Sequence, residues 1–453
     1  MDNLLLSIWL SLACTPGGKT FKSLVDKFKT VDRIYEANDR EINSAIDPKS
    51  SDRAALIEKD LEKAKGILEF CRKMKVGITT YFDANFPDAL RKIDNPPVLL
   101  YYRGKLPDFK SHVSISVVGT RNLSSYGRKH AYEISYDLAS AGAIIVSGMA
   151  IGIDGMAHTG ALAAEMPTVA VLGSGINVCY PSSHLTLARE IVKNGCVITE
   201  FPPDTKPLAY NFPCRNRIIS GISDGLLLVE GMEKSGSLIT TRLAEKQGKK
   251  VYAVPGNIGS KLSAAPTLAL KNGATVATSA EDIIKDFEKQ GTALLNRFNL
   301  KTSRPNMTEK MRAYAISAVT PDDDIFKPSR VRVTSKDELQ RVSTDAMKAQ
   351  NQAQKSEDTA QSVANTSANS AQNPTSVNNT PPAPQADGGL GFTFDKKTLT
   401  VYKRIPEGAE CSYESLAGDG ITVSDVSTAV LRLQIGGFVT VYPGDFVARK
   451  FKG

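Results

Sequence analysis

Paired cysteines, clustered histidines and long apolar runs are all missing from this 453-residue chain. Its six cysteines (Cys14, Cys71, Cys179, Cys196, Cys214, Cys411) are scattered without a C-x-x-C pair. That spacing fits neither a zinc site nor a disulfide framework and predicts reduced thiols. The four histidines, His112, His130, His158 and His184, form no H-E-x-x-H or comparable set, so no metal is expected. No stretch reaches the roughly 18 to 20 apolar residues that span a bilayer. The opening MDNLLLSIWLSLACTPGG has the outline of a lipoprotein signal ending at Cys14. It lacks a basic n-region, carries Asp2 and has only a short apolar run, so it reads as an amphipathic first helix of a cytoplasmic protein.

What is present describes a globular chain of several units, since one domain rarely reaches this length. The net charge of +8 points mildly toward an anionic partner. Residues 1–78 read as helical, with Leu56, Leu61, Ala64, Leu68 and Cys71 on one face at spacings of three to five. Such a module is either a docking or weak DNA-binding unit or a packing cap. Residues 79–112 form an extension into the core, where the Asn-Pro-Pro break and the apolar run after it suggest a turn entering a strand.

From 113 to 290 the pattern alternates strands and helices. SISVVG, AIIVSG, TVAVLG, CVITEF, GLLLVEG and KKVYAVPG are nearly continuous apolar runs, as expected of strands buried on both faces of a parallel sheet. Six strands in a βα alternation predict an α/β fold, a Rossmann-like doubly wound sheet whose ligands bind beyond the carboxyl ends of the strands. Residues 304–392, rich in Ser, Asn, Gln, Ala and Pro, predict a disordered linker. In 393–453, helices followed by the hairpin sequence GGFVTVYPGDFVARK suggest a winged helix. Its third helix, SDVSTAVLRLQIGG, carries one Arg and no Lys, so protein contact is as open as groove insertion.

The strand-end loops carry the chemistry. Gly119-Thr120-Arg121 offers turn amides and a guanidinium to a phosphate. Neither the G-x-G-x-x-G fingerprint nor a Walker A pattern is found there. Ser147-Gly148 and Gly152-Ile153-Asp154 make a glycine-rich turn with Asp154 placed as an N-cap. Asp154 and His158 could form an acid–base pair, though a loop-orienting role is favoured. Asn211, Phe212, Arg215, Asn216 and Arg217 combine an aromatic face with guanidinium groups, the combination used to hold single-stranded nucleic acid. Ser235-Gly236-Ser237 at a helix start is a second anion nest. Two cradles with several arginines suit an extended polyphosphate.

Taken in order, SVVGTRNLSSYG, SGMAIGIDGMAH, TVAVLGSGINVCYP, NFPCRNRIISG, LLVEGMEKSGSLIT and VYAVPGN resemble the motifs of the DNA-processing protein A family (DprA, also called Smf) over about residues 80 to 285. The resemblance implies a homodimeric single-stranded DNA-binding protein, without catalysis or cofactor, that protects incoming strands and loads the RecA recombinase in natural transformation. It also implies that Arg121, Phe212, Arg215 and Arg217 line the DNA pocket. One departure is SAAPTLALKNGA, where Ala265 and Thr267 stand at positions the family fills with Gly and Asn. The rival reading is a nucleotide phosphoribohydrolase on a similar sheet. That enzyme needs a P-G-G-x-G-T-x-x-E loop, and EKSGSLITTRLAE has neither the glycine doublet nor the placed Glu.

Overall fold

The computed structural model describes residues 2–288 and, beyond them, 304–305, 307, 326–328 and parts of 396–449. Six helices come first: α1 Asn3–Ala13, α2 Thr20–Phe28, α3 Val31–Glu36, α4 Asp39–Asn43, α5 Arg53–Glu58 and α6 Glu62–Lys73. Local sequence explains several starts. The Asp2 carboxylate accepts from the Leu4 amide at 3.0 Å, and Asn38 with Glu41 forms a capping box at α4. The predicted face is inside: Leu56, Ala64, Leu68 and Cys71 are buried, and Leu61 is half-buried. Trp9 packs edge-on against Tyr35 at 5.0 Å between centroids.

This helical layer has no core of its own. Leu6, Trp9, Leu24 and Ile34 share one apolar cluster with Leu99, Tyr101, Ala170 and Val197 of the central sheet. The expected boundary at residue 78 is therefore not a division in packing.

The sheet has nine strands: β1 Gly77–Thr80, β2 Leu99–Gly104, β3 Ser114–Val118, β4 Ile144–Ser147, β5 Thr168–Val171, β7 Cys196–Thr199, β8 Gly225–Leu228, β9 Lys250–Ala253 and β10 Thr275–Val276. Their order is β1-β2-β7-β5-β4-β3-β8-β9-β10. All six predicted strands are present and mutually parallel. The structure adds β10 at one edge, and β2 antiparallel to β7 at the other with β1 beyond it. The segment expected to be an extension supplies the end of β1 and, after its Asn-Pro-Pro break, the suggested strand as β2.

Alternate residues face opposite layers, as strand geometry requires. Ile145, Val117 and Leu227 pack with helices α8 Ser125–Ser140, α9 Ile153–Ala163 and α14 Glu281–Glu288. Ile144, Val146, Leu226 and Leu228 pack with α11 Asn211–Ile222, α12 Gly236–Lys246 and α13 Ala264–Lys271. The sheet is doubly wound. Successive strands run outward from β3 through β4, β5 and β7, then β8 returns to the other side of β3. The topological switch point therefore lies between β3 and β8.

Part of the expected linker is attached to this unit. Arg304 donates to the Asp137 carboxylate at 2.9 and 2.6 Å, Pro305 accepts from the Tyr132 hydroxyl, and Lys327–Pro328 (β11) pairs in parallel with β6 Val178–Cys179. Apart from these, Met307 and Phe326, the rest of 304–392 lies outside the described residues. The second unit of the chain, Asn365–Gly453, contains α15 Lys396–Arg404, β12 Cys411–Ser412, α16 Tyr413–Leu416 and the antiparallel pair β13 Val439–Tyr442 and β14 Phe446–Arg449. They close on Val401, Ile405, Leu416, Val430 and Val447. Much of the predicted third helix lies outside the described residues.

Candidate nucleic-acid interface

The carboxyl ends of the parallel strands gather the loops that the sequence singles out, but they assign them different tasks. After β3, the Thr120 amide donates to the Glu230 carbonyl at 2.8 Å. The Glu230 carboxylate, standing just beyond β8, accepts from the Ser124 amide at 3.0 Å and the Ser124 hydroxyl at 2.5 Å. Ser124 in turn caps α8 through the Gly127 amide. The positive end of α8 is thus satisfied by an internal carboxylate. The expected phosphate cradle of turn amides at Gly119-Thr120 is closed by the chain itself. Gly119 is required here, because a Cβ would come within 2.5 Å of Ile153. Glu230 was not singled out from sequence, although an acid ending the apolar run LLLVEG was the signal.

After β4, Ser147 is buried and donates to the Val117 carbonyl at 2.6 Å, so it braces the sheet. Asp154 is not the N-cap of α9, a position taken by Gly152. Instead its carboxylate accepts from the Gly148 amide at 3.1 Å and the Ala150 amide at 3.4 Å. Burial raises its pKa, opposed by the nearby Arg215. His158 is engaged elsewhere, with Nδ1 at 2.8 Å from the Thr168 hydroxyl. The two have separate structural partners, and the loop-orienting role is the one observed.

The predicted arginines divide sharply. Arg215, only 4% exposed, donates to the carbonyls of Gly148 at 2.8 Å and of Val171. It ties the ends of β4 and β5 together. A Cβ on Gly148 would fall within 2.7 Å of both its guanidinium and the Asp154 carboxylate, so glycine makes the arrangement possible. Burial pulls the Arg215 pKa down to about 10, against the pull of Asp154. Arg217 turns away from the rim. It makes a buried two-armed pair with Glu200, 2.6 Å at each arm, and Nε donates to the Asn95 carbonyl. Beside it, burial pushes the Cys214 thiol up to about 12.

Arg121 is the exposed one, and it makes no ion pair among the described residues. Its guanidinium carbon lies 5.6 Å from the centroid of the Phe212 ring, with Arg215 6.0 Å from the same ring. Both separations are in cation–π range. Phe212, half-buried in the first turn of α11, also meets Tyr180 at 5.5 Å and leans over Gly173, where a Cβ would be 2.9 Å away. Tyr180 too was missed from sequence. Asn211 fixes the helix start by donating to the Gly173 carbonyl at 3.0 Å, and Asn216 accepts from Arg215. The structure therefore brings together Arg121, Phe212, Arg215, Asn211 and Gly148. It does not bring Arg217 to them.

At the fifth loop, Ser235 precedes α12 and its hydroxyl lies 2.7 Å from that of Ser237. Gly236 is exposed, Ser237 is buried, and both hydroxyls crowd Gly231. The two serines satisfy one another at this helix start. Among the described residues no group of His, Cys, Asp and Glu could hold a metal ion, and no helix is long and apolar enough to cross a membrane.

The family description DNA recombination-mediator protein A matches residues 77–288. DNA processing protein DprA of Bacillus subtilis is 35% identical over 250 residues, which cover 54% of this chain and 84% of that one. The chain belongs to the DNA recombination-mediator protein A family. Protein Smf of Escherichia coli is 42% identical over 204 residues, but these span only 54% of its length and 45% of this chain. The crystal structure of DNA processing protein A from Streptococcus pneumoniae superposes with a TM-score of 0.55 at 30% identity, covering 62% of this chain and 97% of that one. The family match begins at β1, in agreement with a sheet that starts before residue 113.

Proposed function

We propose that this protein binds single-stranded DNA along the rim formed by Arg121 and Phe212, and that it hands the strand to the RecA recombinase during transformation and recombination. The observation that carries the reading is an exposed guanidinium poised over an aromatic face, which makes no ion pair among the described residues. Phosphate charge and base stacking are the two attractions an unpaired strand offers, and this rim addresses both. The family supports the DNA-processing role, and the names of its relatives agree with it. RecA delivery, a homodimer, a tethered winged helix after the linker and action without catalysis or cofactor belong to the same reading by family resemblance.

The phosphoribohydrolase alternative is disfavoured by Glu230. Ligands of doubly wound sheets sit at the switch point, and here the crevice between β3 and β8 is closed by a carboxylate bonded to Ser124.

The test is anisotropy binding of a labelled single strand and its matching duplex, at two salt concentrations, with wild type and Arg121→Ala. Tighter binding of the single strand is expected, with log K falling by about 0.7 per neutralised phosphate against log salt. Arg121→Ala should weaken binding and lower that slope by about 0.7. Equal, weak, salt-indifferent binding of both strands would sink the reading.

A further inference from the structure

We propose that the loop 206–210 is a second contact track for the same strand, with Tyr210 stacking on a base next to the one at Phe212 and Lys206 meeting a backbone phosphate. The proposal rests on the single-stranded DNA reading above and extends it to residues that lie outside the recognised motif.

Three facts converge on this loop. The first is its exposure pattern. Lys206, Leu208 and Tyr210 are exposed, while Pro207 is buried and Ala209 half-buried. Tyr210 is 63% exposed, and it sits immediately before the helix that carries Phe212. Its hydroxyl makes no hydrogen bond and its ring no aromatic contact among the described residues. Packing therefore does not account for the ring.

The second fact is rigidity. Asn211 Nδ2 donates to the Lys206 carbonyl at 3.2 Å and to Gly173 at 3.0 Å, closing the loop onto the strand-end turn after β5. The Leu208 amide donates to the Lys206 carbonyl at 2.9 Å, and the Asn211 amide to the Leu208 carbonyl at 3.0 Å. A ring held out on a backbone tied at both ends loses little freedom on binding, which favours stacking.

The third fact is charge. Lys206, like Arg121, is exposed and forms no ion pair among the described residues. A free cation, an apolar step and an exposed aromatic on one short loop are the elements of a sequence-tolerant single-strand track. A duplex keeps its bases stacked inside and can offer only the phosphate, so the tyrosine contributes to strand discrimination.

The experiment measures anisotropy of a labelled oligothymidylate, and of an abasic strand of equal length, with wild type, Tyr210→Phe, Tyr210→Ala, Lys206→Ala and Arg121→Ala. Tyr210→Ala should weaken oligothymidylate binding about tenfold, within the range a stacked base supplies. Tyr210→Phe should bind like wild type, and the abasic strand should not distinguish Tyr210→Ala from wild type. Lys206→Ala should weaken both strands and flatten the salt dependence by about 0.7. If Arg121→Ala weakens binding while Tyr210→Ala does not, this proposal falls and the Arg121–Phe212 rim stands. An equal loss on both strands from Tyr210→Ala would also overturn it, since stacking needs a base. If neither variant changes affinity, the single-stranded DNA reading fails and takes the track with it. Unchanged thermal melts of the Tyr210 variants, expected for so exposed a side chain, keep these outcomes free of folding effects.

Discussion

Glu230 closes onto Ser124 with both carboxylate oxygens, one on the amide at 3.0 Å and one on the hydroxyl at 2.5 Å. Gly127 completes the fit, because a Cβ there would meet a Glu230 oxygen at 2.1 Å. A side chain thus fills the place where a doubly wound sheet ordinarily holds a nucleotide phosphate. Glu230→Ala leaves the Ser124 amide and hydroxyl without their acceptor, which should cost about 1–3 kcal/mol of stability. Chemical denaturation of the variant measures this. The wild type should show no thermal shift with excess nucleoside monophosphates, and a clear upward shift would reopen the nucleotide-site reading.

Arg121 and Arg215 flank one phenyl ring but answer to different measurements. Arg215→Ala leaves the Gly148 and Val171 carbonyls without their donor and Asp154 without its nearest positive charge, deep in the fold. A loss of about 3 kcal/mol is expected, visible as a lowered melting temperature with or without DNA. Arg121→Ala, at an exposed site, should change stability by less than about 0.5 kcal/mol while reducing DNA affinity. A stable Arg215→Ala protein would show that the guanidinium is not the tie between β4 and β5.

Arg217 and Glu200 form a buried pair with side chains 7% and 6% exposed. Arg217→Ala strands a buried carboxylate and should cost about 3–5 kcal/mol, whereas a double replacement by apolar residues of similar volume should recover most of it. In whatever fraction remains folded, DNA affinity should match wild type. A selective loss of affinity without loss of stability would return Arg217 to the binding rim.

The limits of the sequence reading are visible in those two arginines. The tripeptide Arg215-Asn216-Arg217 shows that two guanidinium groups sit near an aromatic, but residues two apart on a helix point roughly 200° apart. Only the three-dimensional register says that one faces the rim and the other Glu200. The six central strands were legible because burial on both faces leaves an unbroken apolar run, as in Ile144–Val146. The apolar run after Asn-Pro-Pro suggested β2 as well, but β1 was not legible, since this antiparallel edge strand carries Thr79 and Thr80 and lacks that signature. Glu230 and Asp154 defeat loop-by-loop reading for another reason. The Ser124 amide is taken by a carboxylate from a distant strand end, a match no local pattern reveals, and Asp154 accepts from the Gly148 and Ala150 amides of its own glycine-rich loop instead of capping the helix.

His158 sets the response to acid. The Thr168 hydroxyl donates to the Ile145 carbonyl at 2.7 Å, so its oxygen receives the proton from His158 Nδ1 at 2.8 Å. This fixes the neutral tautomer with the bare lone pair on Nε2, which is buried without a partner. Protonation would place an N–H there with nothing to accept it. Burial, helped by the positive side of the nearby His184 and Arg215, holds the pKa down at about 3. The unfolded chain titrates near 6.5, so between about 6.5 and 3 it binds the proton that the folded chain refuses. Stability is therefore fully present above about pH 6.5 and falls on acidification through that window, by at most about 1.4 kcal/mol per pH unit from this residue. Denaturation curves from pH 7.5 to 4.5, a range of about three units, should show this slope in the wild type and a shallower one in His158→Gln. The variant loses some stability at neutral pH because its amide must find new partners, but the difference between the two slopes reports the imidazole. Parallel slopes in the two proteins would show that other groups, such as the half-buried His184, carry the acid sensitivity.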